Sequence, residues 1–236
     1  MVILGVIATE TVFGKKEETM NALNTMLLIS DAFVSLCDET PLRKVSISDI
    51  VERTGKNRKT FYYHFENKEK LIIWIFRYDL GQVLKQHFSE SVLLYENDPE
   101  SPLSRFPYYI TQKSGVRSLD HAEFFQCFAE VLEGRRNFYR QALVDNSPYA
   151  LRNYLYALYL DAMKHDIDII LSNRYLPREN IDFLAEFYTC AFLYYYIRRC
   201  DQTSIEHLAA DAGPFANIIH SSLENEIKEA QMRRNL

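Results

Sequence analysis

The chain has 236 residues, 47% hydrophobic and 25% charged, with a formal net charge of −5. That length suits one or two domains with a real core, and the balance is that of an ordinary soluble globule. With 7 Gly and 7 Pro there are few turns for a many-stranded fold, and the four cysteines (Cys37, Cys127, Cys190, Cys200) lack C-x-x-C spacing, which argues against a zinc ribbon or redox motif and fits a reducing cytoplasm.

The opening run MVILGVIATETVFG is apolar, but it has no basic flank or small-residue cleavage site and contains Glu10. It is too short to cross a bilayer, and no other run approaches about 18 apolar residues. Residues 1–16 are therefore expected to form a loose N-terminal extension. From residue 17 the pattern turns helical. Leu23, Met26, Leu27, Phe33, Val34 and Cys37 share one face of a helix that Asp38, Thr40 and Pro41 end. Ser46 and Asp49 have the spacing of a capping box opening a short second helix, with Ile47, Ile50 and Val51 inward. Gly55 stands where a helix end wants positive φ. Asn57 is a suitable N-cap for a third helix over about 58–64. Asn67 caps a fourth that runs from Lys68 into the 80s, with Leu71, Trp74, Ile75 and Tyr78 inward.

Three short helices with a tight turn before the third have a helix-turn-helix layout. Residues 43–70 carry eight Lys/Arg against four Asp/Glu, a net of +4 that leaves the rest of the chain at −9. A local basic patch on an acidic body is the electrostatic footprint of nucleic-acid binding. Downstream, residues 96–104 (ENDPESPLS) read as a loop. Helical pattern then returns over about 105–113, 120–144 with a break near Gly134, 148–172, 178–200, and 204 to the end with a break at Gly213-Pro214. The expected class is all-α, with an N-terminal DNA-binding domain over 17–66 and a helical regulatory and dimerisation domain over 67–236.

The stretch SISDIVERTGKNRKTFYYHFENKEKLI resembles the DNA-binding domain of TetR-type transcriptional regulators, with the run from Thr60 to Leu71 as its most specific part. The resemblance covers about residues 17–80. It departs at Lys56, where that family usually has an apolar residue, and in the loop DETPLRK, which lacks the usual Gly. NRKTFYYHFENKEKLIIWIF further resembles a branch that regulates dihydroxyacetone kinase operons.

The resemblance implies a DNA-binding regulator, acting as a homodimer on a palindromic operator in the cytoplasm and released by a small-molecule effector, as a repressor would be. The branch implies an alternative, control by a partner protein. Carried over residue by residue, Arg58 and Lys59 face base edges. Thr60, Tyr62 and Lys68 meet phosphates, Tyr63 and His64 lie near the backbone, and Ser48 reaches DNA from the second helix. Lys15 and Lys16 could touch an adjacent phosphate. Phe61 and Phe65 are assigned to the core.

The remaining constellations are weaker. Asp161, His165 and Asp168 share a helix face and could hold a divalent cation, but a solvated outer face is the preferred reading. No Gly-rich phosphate loop, G-x-S-x-G or H-E-x-x-H occurs, so neither an enzyme nor a cofactor or metal is expected. Tyr109, Phe124, Phe128, Tyr156 and Tyr159 are candidate linings of an effector pocket, with plain core as the alternative. Ile181, Leu184, Tyr188, Ala191 and Tyr195 repeat at 3-4 spacing, and Phe215, Ile219, Leu223 and Ile227 give the last helix a matching stripe. Together these are expected to form the dimer interface.

Overall fold

The computed structural model describes the backbone over residues 3–115, 117–144, 150–172, 174–202, 207–208 and 212–234, and the side chains within those spans except 3–19, 212–220, 223 and 234. The chain divides into two compact units, Met1–Leu71 and Ile72–Leu236. The division falls inside a helix, five residues beyond the expected boundary at 66/67.

In the first unit, α1 spans Ile3–Glu39, α2 Ile47–Thr54 and α3 Arg58–His64, and α4 (Lys68–His87) begins. Backbone helix therefore extends to Ile3, through the residues expected to be loose. The inward face of α1 is Met26, Ile29, Phe33, Leu36 and Cys37, all buried, while Leu23, Leu27 and Val34 are half-buried at its margin. Met20–Glu39 is also long and apolar enough to cross a membrane, with a mean hydropathy of 1.3, which the sequence reading did not anticipate. Its inward face packs on α2 and α3, and 33% of the apolar window is buried. Ser46 and Asp49 close the capping box: the Asp49 carboxylate accepts from Ser46 N at 2.7 Å, and Ser46 Oγ accepts from Asp49 N at 3.3 Å.

At the far end of α2, Gly55 has φ 64°, a left-handed conformation costly for a residue with a Cβ. Its N–H reaches Glu52 O, and Lys56 N–H reaches Val51 O, the paired bonds of a Schellman stop. Lys56 is exposed, so this stop forms without the apolar contact that often accompanies it.

The second unit holds the rest of α4, a 3-10 turn at Glu90–Val92 and two small antiparallel hairpins. These pair β1 (Leu93–Leu94) with β2 (Tyr109–Ile110), and β3 (Lys113–Gly115) with β4 (Ser118–Leu119). Then follow α5 (Ala122–Gly134), α6 (Arg136–Val144), α7 (Leu151–Leu171), α8 (Arg178–Asp201) and α9 (Ala212–Arg234). The break after Gly134 and the 96–104 loop are as expected. The helix expected over 105–113 is instead the end of that loop and β2. Pro107 disfavours helix at the residue before it, and Tyr109-Ile110 pair with Leu94 and Leu93. Gly213-Pro214 does not break α9. It sits in the first turn, where the missing proline N–H would have no helical partner in any case.

The loop over 95–108 is held by a buried cation. The Arg77 side chain is fully buried; Nη1 donates to Tyr154 Oη at 2.6 Å and pairs with Glu96 Oε1 at 2.8 Å. Nη2 donates to Phe106 O at 2.6 Å and Leu103 O at 3.2 Å, and the guanidinium lies 5.3 Å from the Tyr108 ring centroid. One turn on, Gly81 lets Phe106 and Pro107 approach: a Cβ there would lie 3.0 Å from Phe106 Cβ.

Removing one partner of a buried ion pair strands the other, at about 3–5 kcal/mol. Arg77→Met should therefore destabilise the full chain by about that amount. Lys85→Met, which removes an exposed bond to Arg105 O in the same loop and an ammonium 5.8 Å from the Tyr95 ring centroid, should cost about 1 kcal/mol. Urea unfolding of both variants checks the contrast.

Candidate nucleic-acid interface

The α2–α3 surface is built from short-range rules. Asn57 adopts an extended conformation, and its Oδ1 accepts from Thr60 N at 2.9 Å, which starts α3 at Arg58. The seven residues of α3 are too few to hold a helix alone, so packing fixes it. Phe61 and Phe65 supply that packing, both buried with ring centroids 5.8 Å apart. The opposite face carries Arg58, Lys59, Tyr62 and Tyr63, all exposed, with Tyr63 at 82%. An exposed pair of tyrosines beside two cations is an expensive arrangement for a bare surface and a suitable one for a phosphate-lined groove.

The charges around this face are unequally committed. Arg53 forms a two-pronged pair with Glu39, at 2.9 and 2.7 Å, which joins α2 to α1 and holds the Glu39 carboxyl below its ordinary range. Asp49 is held low by its bonds from Ser46. Arg43, Lys44, Lys56, Arg58, Lys59 and Lys70 are exposed, and among the described residues none of them lies in an ion pair. Arg58 Nη2 donates to Ser48 Oγ across the turn. His64 is half-buried, its ring edge-on to Tyr63 at 4.9 Å, and burial pushes its imidazole below the ordinary range, which favours the neutral ring.

The structure thus brings Ser48, Arg58, Lys59, Tyr62, Tyr63 and His64 together on α2 and α3. Two expected contacts are placed differently. Lys68 Nζ donates to Leu42 O at 2.9 Å and Val45 O at 3.0 Å, so the expected phosphate anchor is a tie for the α1–α2 loop. Both carbonyls belong to buried residues, and the ammonium satisfies both oxygens. Thr60 Oγ1 donates to Asn57 Oδ1 at 3.2 Å, so its proton is engaged in the cap. The side chains of Lys15 and Lys16 lie outside the described residues.

In the second unit, the expected pocket residues Tyr109, Phe124, Phe128 and Tyr159 are all buried and pack ring against ring. Tyr109 is 4.6 Å from Phe124, and Phe128 and Tyr159 are 5.9 Å apart, with Phe192 inserted among them. All four therefore face the interior of this unit. Tyr156 is half-buried and stands apart, with Glu186 and Cys190 of α8 beside it. Asp161, His165 and Asp168 are exposed, and no metal-holding cluster occurs among the described residues.

The sequence reading missed Asp166, on the buried stripe of α7. Its Oδ2 accepts from Tyr109 Oη at 2.7 Å and lies 3.3 Å from His121 Nε2, Oδ1 has no partner among the described residues, and burial pushes the carboxyl up to about 8. An acid between Met163 and Ile167 on an otherwise apolar face was the available signal.

The expected dimer seam is divided between the core and a half-buried margin. Leu184 and Tyr188 are buried in the chain's own core with Met163, Ile167 and Ile227, and Tyr188 bonds the Ser222 hydroxyl. Ile181 packs on the same cluster, and Ala191 and Tyr195 are half-buried. The face of α8 left open carries Phe183, Phe187, Cys190 and Tyr194, with the three aromatics 55–67% exposed. Nearly every face of α8 is apolar, so a 3-4 repeat can be drawn on several of them. The side chains of Phe215, Ile219 and Leu223 lie outside the described residues.

Residues 29–73 match the bacterial regulatory proteins of the tetR family, and residues 120–200 match the family described as transcriptional regulator C-terminal region. The HTH-type dhaKLM operon transcriptional activator DhaS of Lactococcus lactis subsp. lactis (strain IL1403) is 33% identical over 63 residues; the match spans 27% of this chain and 34% of that protein's length. Among solved structures, the dihydroxyacetone kinase operon activator DhaS is similar with a TM-score of 0.52 at 16% identity, over 85% of this chain and 96% of its own. Salmonella enterica GusR is similar with a TM-score of 0.53 at 16% identity, over 87% and 96%. At such identity these two structures show a shared fold.

Two outcomes follow from the placements above. Lys68→Ala should lower the thermal stability of the chain, by about 1–3 kcal/mol for two stranded carbonyls, with no change in the salt slope of DNA binding measured well below the transition. Loss of a phosphate anchor would instead lower that slope by about 1. Asp166 has its folded pKa raised above the unfolded value, so the folded state holds the proton more tightly. Its contribution to stability is greatest below the unfolded pKa and declines as pH rises towards about 8. Asp166→Asn, which still accepts from Tyr109, should lose less stability than the wild type between pH 5 and about pH 8 in parallel melting curves.

Proposed function

We propose that this chain, which belongs to the tetR family of bacterial regulatory proteins, is a sequence-specific DNA-binding transcriptional regulator acting in the cytoplasm. The observation that carries the reading is the outer face of α3. Arg58 and Lys59 occupy the leading turn of a helix whose other face is locked by Phe61 and Phe65. A guanidinium there can bridge guanine O6 and N7. Tyr62 and Tyr63 are placed to meet the flanking phosphates.

We further propose that the chain works as a homodimer through the open aromatic face of α8. Phe183, Phe187 and Tyr194 stand exposed along one face of α8, the kind of apolar row that marks an interaction surface. A two-fold dimer is the commonest closed arrangement and demands a palindromic operator.

A small-molecule effector releasing a repressor is the first reading of the control step. The second is control by a partner protein. The relative that is 33% identical over 63 residues is named an activator, and activation is the outcome proposed with this second reading.

Arg58→Ala should weaken binding to a duplex selected by this protein by about 1–3 kcal/mol and leave binding to a scrambled duplex nearly unchanged. Equal loss on both, in competition binding at several salt concentrations, would make Arg58 a phosphate clamp. Phe187→Glu should yield a folded monomer with greatly reduced affinity for the selected duplex. Analytical ultracentrifugation at micromolar concentration checks this, and a monomeric wild type would end the dimer proposal.

A further inference from the structure

We infer that Ser48 is a positioning residue: it fixes the Arg58 guanidinium for base reading and contributes to operator choice through Arg58 alone. This rests on the reading of α3 as the groove-entering helix and goes beyond it by assigning Ser48 a role other than touching DNA.

The bond from Arg58 Nη2 to Ser48 Oγ runs between two fixed pieces of backbone. Ser48 lies in the first turn of α2, whose start is locked by the Ser46–Asp49 capping box. Arg58 is the first residue of α3, whose start is locked by Asn57. The caps fix the backbone at both ends, and the hydroxyl restrains the flexible Arg58 side chain between them.

The chemistry of the acceptor matters as much as its place. A carboxylate at position 48 would hold the guanidinium more strongly but would cancel its charge. A hydroxyl orients it and leaves the charge intact, and among the described residues Arg58 is in no ion pair. Of the five guanidinium N–H donors one is used, so donors remain for a bidentate approach to guanine. An arginine already held in one rotamer gives up less side-chain freedom on binding. That saving corresponds to about 2- to 10-fold in affinity. It appears only where the guanidinium meets its base, so it raises discrimination more than general attraction.

The test uses the full-length chain and a duplex enriched from a random library by the wild type, with a scrambled duplex as control. Ser48→Ala should weaken binding to the enriched duplex by about 2- to 10-fold, leave the scrambled duplex and the salt slope unchanged, and have no effect when Arg58 is already alanine. Ser48→Thr, which keeps the hydroxyl, should restore affinity. Circular dichroism establishes that each variant is folded. Additive losses in the double variant, or a lowered salt slope for Ser48→Ala, would show that Ser48 touches DNA independently and would overturn the inference. A silent Ser48→Ala alongside a base-selective Arg58→Ala would overturn it while leaving the base-reading role of Arg58 standing. Equal loss on both duplexes for Arg58→Ala would remove the base-reading role and this inference together.

Discussion

The helix-turn-helix depends on one ammonium group. Lys68 stands directly after the Asn67 cap of α4, and its Nζ reaches back to Leu42 O and Val45 O in the loop between α1 and α2. Leu42 and Val45 bury their side chains in the core. Unpaired, the two carbonyls together would cost about 1–3 kcal/mol. One flexible cation answers both and ties the start of the fourth helix to the segment ahead of the second.

The second unit uses a buried cation in the same way. Arg77 gathers Glu96, Tyr154 and the carbonyls of Leu103 and Phe106 around a planar fork, which suits a loop whose backbone has no helix or sheet of its own to satisfy it. Nearby, Tyr109 hands its hydroxyl proton towards Asp166, and the surrounding rings exclude water from both. Two polar centres thus stand inside an aromatic core, and each orders a segment that apolar contacts alone would leave without a fixed register.

The first unit was readable because its signals are local. The Ser46–Asp49 box, the Gly55 stop and the Asn57 and Asn67 caps are each decided within three or four residues, so helix limits at 58 and 64 could be set from letters alone. Lys68 was misread because its partners lie more than twenty residues away and are backbone atoms, which leave no mark in the sequence. In the second unit, apolar residues surround α8 on nearly all sides, and a periodicity argument could not choose among its faces. The hairpin at Tyr109-Ile110 was hidden for a related reason: its pairing partners precede a fourteen-residue loop. Asp166 and Arg77 were legible in principle, as charges set among apolar neighbours.

The division of labour within α3 has an evolutionary consequence. Phe61 and Phe65 hold the helix in place, while Arg58, Lys59, Tyr62 and Tyr63 face away from the core. Substitutions at the outward positions can therefore accumulate at little cost to folding. A duplicated copy of this gene could drift to a new target sequence while its scaffold stays under unchanged selection. The position that constrains such drift is Ser48, since any new side chain at 58 would inherit a neighbour shaped for arginine.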